Sequence, residues 1–284
     1  MSIGIVGVGT IGAGVAQLVA ESRREVVLVD RDPLALQRAG EAIRRGLQLA
    51  RLQRRTTTPA SELLARVRYT TDIEELKDAT LVIENVSERW DVKGEVYRRL
   101  DTIAPPQTCF AANTSAIPIA RIAAVTTRPE RVIGVHFMNP PALIPTVEVI
   151  RSAATSEETI AEVTAFLESL GQRPIVVRDA AGFVINRVLM GAVNEAAYVV
   201  AEGTAAPADV DRLFQGALGH KMGPLRTADL IGIDTVVDTL EVLRHEYGDK
   251  FRTCPLLDEM VQSGHLGRKS GRGFYVYEVR EGRE

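Results

Sequence analysis

Four polar residues stand in surroundings that suit the removal of a proton from an alcohol: Ser115 in ANTSA, His136 in VIGVHFMNPP, Glu148 in TVEVI and Asn186 in AGFVINR. The same chain opens with the glycine pattern GVGTIG at residues 7–12. A nicotinamide cofactor accepts a hydride, and another group must then take the matching proton. An imidazole steered by a carboxylate is the common protein means of doing so near neutral pH. Taken singly, each residue also has a plain structural role open to it. His136 is one of four histidines, and a lone histidine is more often structural. Glu148 could be a strand-end charge, Ser115 an N-cap before a short helix over residues 117–123, and Asn186 a satisfied polar group in a helix. Their company with the glycine pattern favours chemistry.

Gly7, Gly9 and Gly12 follow an apolar run and precede a helix. Gly7 permits the tight turn, Gly9 lets the backbone approach a pyrophosphate, and Gly12 lets helix and strand pack closely. The helix that opens at Thr10 and Ile11 offers free N–H groups and a partial positive charge to phosphates. A second strand ends in Asp30, 18 residues past Gly12. A carboxylate there accepts hydrogen bonds from ribose hydroxyls and repels a 2′-phosphate, which selects NAD over NADP. Arg31, directly after it, works against that selection.

The elements that must position these residues follow from pattern. Short apolar runs predict strands over residues 2–6, with Met1 at their head, and over 26–29, 80–85, 108–112, 132–137, 146–150 and 175–177. Amphipathic stretches predict helices over 11–22, 33–54, 59–65, 88–103 and 157–170. This alternation is that of an α/β domain, a parallel sheet covered by helices. The Arg-rich side of residues 33–54 reads as a solvated face. A change comes near residues 179–182. Beyond it the pattern is helical, over 183–202, 208–218, 227–247 and 255–263, and it closes on GRKSGRGFY. Residues 183–202 carry more apolar surface than one exposed face needs, so they belong in a core or a subunit interface. The expected domains are 1–180 and 181–284.

Composition narrows the classes further. A net charge of −3 gives no bulk electrostatic case for nucleic acid. Cys109 and Cys254 are too few for a disulfide scaffold and fit a reducing, cytoplasmic setting. No apolar run approaches the roughly 20 residues that cross a bilayer, and the start lacks the basic segment of a signal peptide. Neither a membrane partner nor a metal site is expected.

At the level of whole motifs the sequence resembles the short-chain L-3-hydroxyacyl-CoA dehydrogenase family, which includes the bacterial 3-hydroxybutyryl-CoA dehydrogenases. The resemblance runs in order through GVGTIGAGVAQ, VIENVSE, ANTSAIPI, RVIGVHFMNP, VEVI, AGFVINR, MGP, GID and GRKSGRGFY, nearly the whole chain. It implies a Rossmann-like NAD-binding domain, then an all-α domain for substrate and dimer contacts, with the active site in the cleft between them. It implies a homodimer. It implies His136 as general base, Glu148 orienting the ring from its far nitrogen, and Ser115 and Asn186 binding the reacting oxygen. Glu88, Lys93, Asn113 and Asn139 join Gly7, Gly9, Thr10, Ile11, Gly12 and Asp30 as implied cofactor-binding residues. The implied reaction, at home in fatty acid metabolism, is the NAD-dependent interconversion of a 3-hydroxyacyl thioester and its 3-oxo form.

The sequence departs from the family after His136. The family runs close to HFFNPVPVMKLVEV, whereas HFMNPPALIPTVEV here puts Pro145 in place of a Lys and adds the pair Pro140 and Pro141. Arg226, in MGPLRTAD, replaces an acidic residue. The turn is similar to that of relatives acting on polar hydroxy acids, such as L-gulonate dehydrogenases. It is also similar to that of relatives in polyketide extender-unit pathways, which act on a hydroxyacyl group held by an acyl carrier protein. The leading expectation is a CoA thioester substrate. The alternative keeps the chemistry on a carrier-protein thioester or a free polar hydroxy acid. A nucleotide-binding protein without turnover is a third possibility, opposed by the intact Ser115, His136, Glu148 and Asn186 set.

Overall fold

The computed structural model describes residues 2–53 and 58–278. Met1 and Arg54, the ends of two expected elements, lie outside the described residues. The chain divides into two units, Met1–Ala180 and Ala181–Glu284.

The first unit is built on one sheet. Its strands are β1 (Ile3–Val6), β2 (Val26–Val29), β3 (Val67–Thr70), β4 (Leu81–Glu84), β5 (Cys109–Asn113), β6 (Val132–Phe137), β7 (Thr146–Arg151) and β8 (Arg173–Arg178). They lie in the order β3-β2-β1-β4-β5-β6-β7-β8. Neighbours run parallel except β6 and β7, which are antiparallel. The inner runs IGIV, VVLV and LVIE are buried at every position, as strands covered on both faces must be. Helices α1 (Thr10–Glu21), α2 (Pro33–Leu52), α3 (Ala60–Leu64), α4 (Trp90–Ile103), α5 (Ile119–Ala123) and α6 (Glu157–Ser169) join them. In α2, Leu36, Ala39, Ile43, Leu47 and Ala50 form the buried stripe, while Arg38, Arg44 and Arg45 are exposed. Asp32 caps it, accepting from Leu34 N at 2.9 Å. Ile5, Leu28 and Val149 share one core cluster with Val15 and Leu18 of α1 and Phe166 of α6.

Sequence pattern misses β3. Its run VRYT buries only Val67, because an edge strand needs no continuous apolar face. The other edge strand, β8, extends on both sides of the expected 175–177, for the same reason: Arg173, Ile175, Val176 and Arg178 are exposed. The order matters for function. From β1 the chain steps outward to β3 on one side, and from β4 it continues on the other. Connections therefore diverge between β1 and β4, and a crevice opens at their C-terminal ends.

The second unit is helical: α7 (Ile185–Ala201), α8 (Pro207–Leu218), α9 (Pro224–Ile231), α10 (Ile233–Tyr247) and α11 (Pro255–Gln262). Met190, Val193, Ala228, Val236, Leu240 and Leu257 lie in one core cluster. The single helix expected over residues 227–247 is two helices. The break is Gly232, at φ 107°, a conformation that side chains with a Cβ rarely adopt. Apolar periodicity runs across the break because α9 and α10 both face this core. The closing GRKSGRGFY segment is pinned rather than free. Asp229, 1% exposed, accepts from Phe274 N at 2.9 Å and Tyr275 N at 3.0 Å, and Lys269 pairs with Asp234.

Candidate active site

The antiparallel pairing of β6 and β7 sets His136 directly opposite Glu148. Two cross-strand neighbours on one face lie close enough for their side chains to meet. His136 Nδ1 is 2.8 Å from Glu148 Oε2, and both residues are buried. On the other side of the ring, Nε2 is 3.1 Å from Ser115 Oγ. Hydroxyl, imidazole and carboxylate thus form one line. Ser115 belongs to the turn that leaves β5, and β5 is parallel to β4 and β6, so this turn emerges at the same sheet edge as the crevice.

The turn is held from several sides. Glu88 Oε1 accepts from Ser115 N at 3.0 Å, Ala116 N at 2.9 Å and Ile117 N at 3.2 Å, and the Thr114 hydroxyl also donates to it. Asn113 donates to Asn85 Oδ1 at 2.9 Å and accepts from Phe137 N at 3.3 Å, tying three strand ends together. Lys93 is fully buried. It donates to both oxygens of Glu84 and to the Asn113 carbonyl, each at 2.9 Å, and lies 3.5 Å from Glu88 Oε2. An ammonium so enclosed faces protein, and direct contact with a ligand would require it to leave this cage. Burial pushes the Glu84 carboxyl up despite Lys93. Burial acts the same way on Glu88, but Lys93 and the hydrogen bonds from Thr114, Ala116 and Ile117 outweigh it and hold that carboxyl down. Tyr97, buried beside Glu84, is pushed well above the usual phenol range. Sequence pattern singles out neither Glu84 nor Thr114. Their signal would have been a charged residue ending a fully apolar strand, and a hydroxyl heading a turn.

The crevice itself has a volume of about 630 Å³, lined among others by Gly7, Gly9, Asp30, Arg31, Asn85 and Arg99. Its glycine and carboxylate lining suits a dinucleotide. Gly7 turns at φ 87°, and a Cβ on Gly12 would lie 2.0 Å from the Gly7 carbonyl oxygen. A Cβ on Gly9 would meet nothing within 4 Å, so that backbone is open to a ligand. No side chain caps the start of α1, and an uncapped helix start offers its N–H groups to anions. Asp30 accepts from Val8 N and Asp32 N, both at 3.0 Å. It therefore braces the glycine loop, and each carboxylate oxygen keeps a second lone pair for a ribose hydroxyl.

Two expected residues remain. Asn139 is exposed in the turn after β6. That turn packs on α1, since a Cβ on Gly14 would lie 2.9 Å from Pro141 Cδ. Asn186 lies in the second unit, on the first turn of α7.

A doubly wound sheet with this crevice, and an imidazole line at the same edge, is the build of an NAD-dependent oxidoreductase. Residues 2–180 match the family described as 3-hydroxyacyl-CoA dehydrogenase, NAD binding domain. Residues 182–277 match 3-hydroxyacyl-CoA dehydrogenase, C-terminal domain. The chain belongs to the 3-hydroxyacyl-CoA dehydrogenase family. It is 45% identical to a probable 3-hydroxybutyryl-CoA dehydrogenase of Bacillus subtilis, over 96% of each chain. It is 42% identical to a probable 3-hydroxybutyryl-CoA dehydrogenase of Deinococcus radiodurans, over 98% of this chain and 100% of the other. Among solved structures, (S)-3-hydroxybutyryl-CoA dehydrogenase from Ralstonia eutropha superposes with a TM-score of 0.94 at 41% identity, covering 98% of this chain and 99% of that one.

Proposed function

We propose that the protein interconverts a short 3-hydroxyacyl-CoA and its 3-oxo form, with His136 as the general base. The observation that carries this is the line Ser115–His136–Glu148 at the edge where the cofactor crevice opens. With its Nδ1 proton donated to Glu148, the ring presents Nε2 as the basic nitrogen. His136 takes the hydroxyl proton there, and the buried carboxylate of Glu148 stabilises the imidazolium that forms. Ser115 holds the reacting oxygen, and Asn186 is proposed as a further donor to it. NAD, when bound, supplies the hydride acceptor. Gly7, Gly9, Thr10, Ile11 and Gly12 would hold its pyrophosphate, Asp30 its adenosine ribose, and Asn139 the neighbourhood of its nicotinamide. Glu88, Lys93 and Asn113 would shape the wall beside it. The names of the relatives support a four-carbon acyl group on CoA. We propose a homodimer in the cytoplasm, with the helical unit 181–284 supplying the dimer contacts.

A second reading keeps the chemistry and changes the handle, to a carrier-protein thioester or a free polar hydroxy acid. The turn favours it. Residues 138–145 contain no Lys or Arg, Pro145 stands where the family carries Lys, and Leu143 and Ile144 are exposed. Loss of a cation there weakens attraction for a polyanionic handle. The test is kcat/KM with NADH for acetoacetyl-CoA beside short polar 3-oxoacyl thioesters on CoA and on a carrier protein, and beside free polar oxo acids. A value of about 10⁶ M⁻¹s⁻¹ or more for acetoacetyl-CoA, with no gain on the others, supports the first reading. A slow acetoacetyl-CoA reaction with a clear gain on a carrier-protein or polar substrate supports the second. No turnover of any of them would remove both.

A further inference from the structure

We infer that Glu88 is a positioning residue for the reaction: its carboxylate fixes the turn 114–117 and thereby holds Ser115 against His136. The inference rests on the proposed roles of Ser115 and His136. Three successive backbone N–H groups converging on one point form an anion-binding concavity. Here the N–H groups of Ser115, Ala116 and Ile117 converge on Glu88 Oε1 at 2.9–3.2 Å. The anion is thus supplied by the chain itself, from 27–29 residues upstream. Thr114, 2% exposed, donates its hydroxyl to the same oxygen and accepts from Ile117 N at 2.9 Å. The turn is therefore closed from inside and gripped from outside.

The grip is itself anchored. Lys93 lies 3.5 Å from the other Glu88 oxygen and 2.9 Å from the carbonyl of Asn113. One buried cation therefore holds both the carboxylate and the strand end from which the turn departs. On the far side the turn presents Ser115 Oγ to His136 Nε2 at 3.1 Å. A displacement of about 1 Å in such a constellation can cost roughly 10²-fold in rate. Glu88 reaches the chemistry through backbone and turn, so its effect should be read in kcat rather than in cofactor affinity. A carboxylate serving chiefly as a ribose contact would show the opposite split.

The experiment is a double-mutant cycle on the full chain, with Ser115→Ala, Glu88→Gln, Glu88→Ala and the pair Glu88→Ala/Ser115→Ala. Kcat is measured with acetoacetyl-CoA and NADH, and NAD affinity by calorimetry. Glu88→Ala leaves Lys93 paired with both oxygens of Glu84, so the buried cation keeps a counter-charge. Glu88→Gln keeps one carbonyl oxygen in the nest, and it carries the test if the alanine variant does not fold. Ser115→Ala and Glu88→Ala should each lower kcat by roughly 10²-fold. Glu88→Gln should lose less, NAD affinity should shift less than about threefold, and the double variant should be no slower than Ser115→Ala, as for residues acting as one unit. If the glutamine variant alone is available, its pairing with Ser115→Ala is scored in the same way. Multiplicative losses in the double variant would overturn the inference, as would weakened NAD binding with kcat retained. A native kcat in Ser115→Ala alone would remove Ser115 from the proposed mechanism, and the inference with it, and that single variant is scored separately.

Discussion

At the residue scale, the imidazole of His136 is oriented on both sides: Glu148 at one ring nitrogen, Ser115 at the other. A general base placed in this way contributes roughly 10²–10⁴-fold to rate. His136→Ala should therefore lose roughly that factor in kcat while NAD affinity barely moves. Glu148→Gln should also lose activity, because the amide can still accept a hydrogen bond but gives the imidazolium no counter-charge. Near-native kcat in the His136 variant on the best substrate would take the imidazole out of the mechanism. The two thiols make a contrasting case. Burial pushes the Cys109 thiol up to about 12, and burial raises Cys254 as well. Reaction needs the thiolate. A disulfide-exchange reagent at pH 8 should release no signal from the native protein and two equivalents after denaturation, matching the two cysteines. Rapid labelling of native protein would contradict the burial of both side chains.

At the element scale, the strand ends and helix starts do the positioning. The first unit gathers three strand ends through Asn113 and braces its glycine loop through Asp30. The second unit uses carboxylates in a structural way. Asp211, 2% exposed, accepts from Leu225 N at 2.9 Å and Arg226 N at 3.0 Å, which starts α9. Asp229, in the last turn of the same helix, pins the closing segment. Between α9 and α10, Gly232 turns where a Cβ would lie 2.9 Å from Asp234 Oδ1 and 3.0 Å from Lys269 Nζ. Gly232→Ala should cost about 1–3 kcal/mol for forcing this backbone conformation. Gly216 is the control, in α8 with nothing within 4 Å of its Cβ position. There Gly→Ala should be neutral or stabilising by up to about 1 kcal/mol, from helix propensity. Urea midpoints of the two variants check this, and equal midpoints would show that Gly232 is an ordinary hinge.

At the scale of the whole molecule, no helix among the described residues is long and apolar enough to cross a membrane. The second unit nevertheless carries large exposed apolar side chains: Val188 at 67%, Leu213 and Leu218 each at 63%. Leu213 also lines an apolar groove with Ala196, Val199 and Phe214. An exposed apolar groove is a common association surface. Sedimentation should give a species of twice the 30.9 kDa chain mass, and Leu213→Asp should shift it toward monomer. A monomer at micromolar concentration would count against the homodimer.

What the sequence determines is local. GVGTIG, the strand before it and Asp30 after it define the glycine loop, because each conformational demand falls on a residue within a few positions of its neighbour. Apolar runs define the inner strands, because burial on both faces leaves few polar positions. The His136 and Glu148 surroundings define a pair of groups suited to proton transfer. Tertiary structure alone decides the rest. The register of β6 on β7 decides that His136 meets Glu148, and a slip of one residue would turn the two side chains to opposite faces. The capture of the 115–117 turn by Glu88, the cage around Lys93 and the edge strand β3 all depend on partners far away in sequence. So does the break at Gly232, where Lys269 comes up beside the turn. None of these leaves a period in the chain, because a long-range contact is set by how elements pack, and local pattern records only which face each element buries.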